Sequence, residues 1–257
     1  VSDPAASVRE MMLTDVEPIP VNMTDKEVAR LFESNDWVSA PVVDDNGTLL
    51  GRITIDDVVD VIREDTDRSL MSMVGLDEDA DTFAPLMHAA PRRAIWLGIN
   101  LVTAFIAASV INLFQGTIKE FVFLAVLMPI VASMGGIAGT QTLTLMVRGI
   151  ALGQVVKNNQ AWLINRELVI GLMNGILWAV VVAIAASIWF QQWKIGLIIA
   201  AAMVINLVTA ALAGAVLPLL MARAKIDPAL AGGVVLTTIT DVVGFVSFLG
   251  LATLLYA

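Results

Sequence analysis

Apolar and polar positions follow two different patterns along the chain. Up to about Pro91 the apolar runs are short and broken by Asp and Glu. Beyond it they lengthen into stretches of about 20 or more residues, enough to cross roughly 30 Å of hydrocarbon at about 1.5 Å per helical residue. Five spans follow from this pattern: Ala94 to Phe114, Phe121 to Met146, Leu168 to Phe190, Ile195 to Met221 and Leu230 to Leu255. The first lies too far along the chain for a signal peptide. Pro129 and Pro218 are expected to bend the second and fourth spans. Gly135/Gly139 and Gly171/Gly175 have the spacing that lets helices approach closely.

Ahead of Pro91 the pattern is that of a small α/β module. Thr24 and Glu27 form a capping box that opens a helix through about Ser34, with Val28, Leu31 and Phe32 on one face. Pro41 to Val43, the turn Asp44-Asp45-Asn46-Gly47 and Leu49 to Ile55 read as a hairpin, because Asn-Gly between apolar runs supplies the positive φ that a tight turn needs. Thr54 and Asp57 cap a second helix running through Val61. The predicted fold is thus a membrane α-helical domain of five spans behind an N-terminal α/β module. The expected boundaries are 1–62 for the module, 63–91 for an acidic connecting helix and linker, and 92–257 for the membrane domain.

Composition sharpens this division. Of 257 residues, 58% are hydrophobic and 15% charged, with mean hydropathy +0.82. A soluble domain carries about half apolar and a quarter charged residues. The net charge of −9 hides a split: residues 1–91 hold 20 acidic and 6 basic residues, and 92–257 hold 4 acidic and 9 basic. No nucleic-acid partner is expected of so acidic a soluble part. Cysteine is absent and histidine occurs once, which removes disulfides, thiolate chemistry and imidazole metal clusters. No nucleophile, base and acid set is visible, so an enzyme is not expected. Arg92, Arg93, Arg148, Lys157, Arg166, Arg223 and Lys225 fall on one side of the expected membrane, and only Lys119 and Lys194 on the other. Since Lys and Arg stay on the cytoplasmic side, the acidic module is expected inside the cell and the C-terminus outside.

The membrane part holds the sharper chemical signal. Glu120, Glu167 and Asp227 are read as span-end or loop acids. Asp241 is read about eleven residues into the last span, near the midplane, where a carboxylate costs about 3 kcal/mol to insert and marks a functional site. No base is read at comparable depth, so its sign points to a cation. A structural reading, in which Asp241 bonds a neighbouring span, is the alternative. In the soluble part Asp56, Asp57, Asp60, Glu64, Asp65, Asp67, Asp77, Glu78, Asp79 and Asp81 crowd one stretch. Oxygen ligands of this kind suit Mg²⁺ or Ca²⁺, and a solvated acidic face is the plainer reading.

Two resemblances follow from motifs. Ala40-Pro41-Val42-Val43-Asp44 with Gly51-Arg52-Ile53-Thr54-Ile55-Asp56-Asp57-Val58 resembles a CBS domain. In such modules the Thr54 and Asp57 positions can contact an adenosine nucleotide, which makes ATP a secondary expectation beside the preferred one, that they only make the turn and cap the helix. CBS modules usually pair, so a partner module is expected elsewhere. The segments Pro129 to Thr142, Val147-Arg148-Gly149, Asp227-Pro228-Ala229-Leu230 and Thr237-Thr238-Ile239-Thr240-Asp241 resemble the MgtE family of magnesium channels. That resemblance implies a homodimer in the plasma membrane, among membrane lipids, that passes largely hydrated Mg²⁺ through a pore lined by the fifth spans. It implies Asp241, Thr237 and Gly233 as the pore ion site. It also implies regulatory Mg²⁺ sites at Asp36, Asp57, Asp60, Asp65 and Asp227, with cytosolic Mg²⁺ closing the pore. The leading alternative is a proton- or sodium-coupled divalent cation transporter with Asp241 as the titrating group. A membrane-anchored ligand sensor without transport is the third.

Overall fold

The structure is a computed structural model and describes residues 17–73, 75–76, 83 and 85–256. The chain divides into two compact units, Val1–Ser69 and Leu70–Ala257.

The first unit is α/β. Strand β1 (Ile19–Pro20) leads to helix α1 (Asp25–Asn35), then strands β2 (Ser39–Val43) and β3 (Leu49–Thr54), then helix α2 (Ile55–Met73). The sheet order is β1-β2-β3, with β1 parallel to β2 and β3 antiparallel to it. The hairpin turn forms as its residues dictate. Asp44 Oδ1 accepts from the N–H groups of Asn46 at 2.9 Å and Thr48 at 2.7 Å, and Gly47 takes φ +78°. The Thr48 N–H bond holds the Asp44 carboxyl below the ordinary aspartate value. At the start of α1 the Thr24 hydroxyl and N–H both donate to Glu27, and that bonding lowers the Glu27 carboxyl in the same way. Val28 and Phe32 of α1 are buried with Ile19, Ala40 and Val58. Trp37 closes the end of this small core, meeting Phe32 edge to face at 5.8 Å. Helix α2 runs past Val61 to Met73, with no Gly or Pro to interrupt it.

The second unit is helical. It comprises α3 (Leu86–Leu113), the short α4 (Gln115–Glu120), α5 (Phe123–Ala151), α6 (Gln160–Phe190), α7 (Trp193–Arg223) and α8 (Pro228–Tyr256). Among the described residues five helices are long and apolar enough to cross a membrane: Ala89–Leu113 within α3, α5, α6, α7 and α8. Their number and order agree with the hydropathy pattern, but several begin earlier. Helix α6 starts at Gln160 rather than Leu168, since Gln160-Ala161-Trp162-Leu163-Ile164-Asn165-Arg166-Glu167 is helical without being uniformly apolar.

Helix α7 is the hub. It packs on α5, α6 and α8, whereas α3 lies mainly against α8 and otherwise exposes its apolar side chains. The shared core joins Leu124, Leu127 and Val131 of α5, Ile195, Ile199 and Ala202 of α7, and Phe248, Leu249 and Ala252 of α8. Close approach comes from glycines. A Cβ on Gly171 of α6 would stand 2.5 Å from the Ala211 Cβ of α7. The Gly135/Gly139 pair serves two neighbours, Gly135 meeting Asn206 of α7 and Gly139 meeting Leu236 of α8. Trp162, Trp189 and Trp193 are exposed near helix ends, where amphipathic rings suit a membrane interface.

Candidate ion site

Helix α8 places Asp241 close to its middle, with about 20 Å of rise on either side. Asp227 sets where that helix begins. Its Oδ1 accepts the Ala229 N–H at 2.8 Å, with Pro228 in the first helical position, an arrangement that suits proline's fixed φ and lost donor.

The rotation of α8 follows from two interlocking contacts with α5. Leu236, fully buried, lies over Gly139, and Leu143 lies over Gly232. Gly233 and Thr237 each follow one of these residues, so the stripe Gly233, Thr237, Asp241 is turned about 100° away from α5. All three are only partly buried. Among the described residues nothing donates a hydrogen bond to the Asp241 carboxylate and no Lys or Arg pairs with it. One turn before it the Thr237 hydroxyl donates to the carbonyls of Gly233 and Val234, both at 3.1 Å. Thr238 likewise donates to Val234 at 2.7 Å, and Thr240 to Thr237 at 3.0 Å. The stripe thus offers a carboxylate, a hydroxyl whose proton is engaged, and a glycine that leaves room beside them.

Glu167 differs from its reading as a span-end acid. It lies about 10 Å into α6 and is only 5% exposed, and its Oε2 accepts the Thr142 hydroxyl of α5 at 3.2 Å. Hydropathy hid it, because the apolar run begins at the next residue. The carboxylate depends on that donor, whereas an amide could share the same bond without charge. Thr142→Val is therefore expected to destabilise the membrane domain by about 1–3 kcal/mol, and Glu167→Gln to cost less. Thermal melts of the two variants in detergent compare them. Asn206 is the other residue whose place the sequence did not disclose, and it is fully buried between α5 and α8.

Of the acids expected to hold regulatory Mg²⁺ in the first unit, Asp57 is engaged locally. Asp57 accepts both the N–H and the hydroxyl of Thr54, at 3.0 and 2.9 Å, capping α2 as expected. Asp36 ends α1 in a left-handed conformation at φ 51°, which Asp tolerates. Asp60 is exposed on α2. Asp65 lies on the same helix, and its side chain and residues 77–82 fall outside the described residues. No group of three His, Asp or Glu able to hold a metal occurs among the described residues. A cavity of about 250 Å³ lies between β1, α1 and α2, bordered by Ile19, Val21, Asp25, Val28, Asp57 and Val61, among others. Asp57 reaches it but Thr54 does not border it.

Comparison with known proteins fits this architecture. Residues 128–251 match the MgtE family, described as divalent cation transporters, and residues 8–64 match the CBS domain. The chain is 34% identical over 251 residues to a magnesium transporter MgtE of Bacillus subtilis, covering 98% of this chain and 56% of that protein. It is 29% identical to the magnesium transporter MgtE of Enterococcus faecalis, over 99% of this chain and 56% of the relative. For that of Thermus thermophilus the identity is 28%, over 99% and 57%. The chain thus spans about half the length of the curated relatives it matches. It carries an MgtE divalent cation transporter domain behind a CBS domain, and it is similar along nearly its whole length to magnesium transporters of the MgtE family.

Proposed function

We propose that this chain transports Mg²⁺ across the plasma membrane, two copies forming one pore lined by α8. The carrying observation is Asp241, an unneutralised acid midway along a membrane helix with the Thr237 oxygen one turn away. Its relatives' names as magnesium transporters supply the ion. Mg²⁺ gives up water reluctantly, so the site suits a largely hydrated ion: its waters turn their hydrogens outward, and carboxylate and hydroxyl oxygens accept them. A second copy would bring its own Asp241 to the ion and cover the partly exposed stripe.

Orientation follows the loop charges, with the CBS domain in the cytoplasm and the C-terminus outside. Regulation fits the acidic first unit. Cytosolic Mg²⁺ would screen the carboxylates around Asp36, Asp57, Asp60, Asp65 and Asp227, and an ion that prefers the closed form shifts the population towards it. ATP is a weaker candidate regulator, since Thr54 is already committed to its cap.

Uptake by proteoliposomes holding the purified chain tests this reading. Mg²⁺ entry driven by its own gradient and the membrane potential, falling as Mg²⁺ rises on the CBS side, is expected. Uptake that instead requires a proton or sodium gradient would establish the coupled transporter. No divalent flux under any condition would leave the sensor reading.

A further inference from the structure

Asn206 stands midway along α7, about 20 Å of rise from Trp193, and its exposure is 0%. Its Nδ2 donates to the Val131 carbonyl of α5 at 2.8 Å. The same carboxamide is flanked by glycines of two other helices. A Cβ on Gly135 of α5 would run into Nδ2, and one on Gly244 of α8 would stand 2.9 Å from Nδ2 and 3.3 Å from Cγ. One short polar side chain is therefore clamped between α5 and α8.

Its other polar atom separates two explanations. Oδ1 is buried and has no hydrogen-bond partner among the described residues. An asparagine kept for stability alone would use both ends of its amide. An apolar side chain of similar shape removes the donor and the stranded acceptor together, which is often neutral or better. Stability thus does not account for the amide, whereas fixed placement does. Gly244 follows Asp241 by three residues, about 4.5 Å along the same helix. A displacement of α8 at Gly244 is a displacement of Asp241, and binding groups work only when held within about 0.5 Å.

We propose that Asn206 is a positioning residue for ion transport: bonded to Val131 and seated against Gly135 and Gly244, it fixes the level at which Asp241 meets the ion. The inference rests on the transport reading above and adds a residue that does not touch the ion.

The test compares the wild-type chain, Asn206→Ala, Asn206→Leu, Gly244→Ala and the double variant Asn206→Ala/Gly244→Ala in proteoliposomes. The readouts are the Mg²⁺ concentration at half-maximal uptake and the ratio of Mg²⁺ to Ca²⁺ uptake, per monodisperse protein. Asn206→Ala and Asn206→Leu should each raise the half-saturating concentration roughly fivefold or more and alter the ion ratio. Gly244→Ala should do the same, because its methyl displaces the amide. The double variant should be no worse than Asn206→Ala, whose missing amide leaves room for that methyl. Wild-type half-saturation and ion ratio in both Asn206 variants, with only the yield of folded protein reduced, would overturn the positioning role. Additive effects in the double variant would overturn the clamp. Absence of divalent uptake by the wild type is a separate result that removes the transport reading and this inference with it.

Discussion

Asp241→Asn should abolish Mg²⁺ uptake while making helix α8 easier to place in a membrane. The two effects run in opposite directions because they arise from one charge. A carboxylate at the middle of a spanning helix costs about 3 kcal/mol to insert, and no described cation offsets it here. The amide removes most of that cost and nearly keeps the shape. It also removes the negative charge that holds a divalent cation, and replaces one acceptor oxygen by a donor facing water hydrogens. Asp241→Ala should show the same loss of transport with a smaller side chain. A loss of at least about a hundredfold in uptake corresponds to about 3 kcal/mol, the scale of the insertion cost. Flux in proteoliposomes read beside a thermal melt separates the two consequences. Full uptake by a well-folded Asp241→Asn protein would remove Asp241 from the ion site.

Gly214→Ala should be among the most damaging of the glycine substitutions between helices. Its added Cβ would stand 2.7 Å from the Gly139 carbonyl oxygen and 3.1 Å from the Leu143 backbone nitrogen, besides 2.9 Å from the Thr142 Cβ. Backbone cannot swing aside as a leucine tip can, so α5 and α7 must separate. Overpacking of this kind costs about 1–3 kcal/mol or more. Separation also disturbs Thr142, the donor to Glu167, and Gly139, the seat of Leu236. Gly136→Ala is the matched comparison, because nothing lies within 4 Å of its added Cβ and alanine favours the helix by about 1 kcal/mol. Size-exclusion profiles and melting temperatures should place Gly136→Ala at or above the wild type and Gly214→Ala far below it. Equal melting temperatures for the two variants would show that α5 and α7 are not closely seated there.

The sequence discloses features that single segments decide. Five apolar stretches announce five helices because a membrane span must satisfy its own backbone and be apolar over its length. Asp44, Asn46 and Gly47 announce a hairpin because the turn is built from their own bonds. Asp241 stands out for the same local reason, an acid inside an apolar run. Relations between segments are not disclosed. Gly135 and Gly139 have the spacing of one close contact, yet they meet two different helices. Asn206 reads as one of several polar residues in spans, and only the packing of three helices sets it apart from Asn100, which bonds the Trp96 carbonyl of its own helix. Glu167 was hidden because hydropathy reports where the apolar run starts, not where the helix does.

The inward-bonded hydroxyls of α8 carry a further meaning. Thr237 and Thr238 direct their protons to carbonyls of their own helix, so next to Asp241 the Thr237 oxygen has only lone pairs left to offer. The water shell of a cation presents hydrogens, and that of an anion presents oxygens. A surface with its protons already committed welcomes the first and has nothing to give the second. Discrimination by sign would then begin in the polarity of the hydration shell, before the ion's own charge reaches the carboxylate.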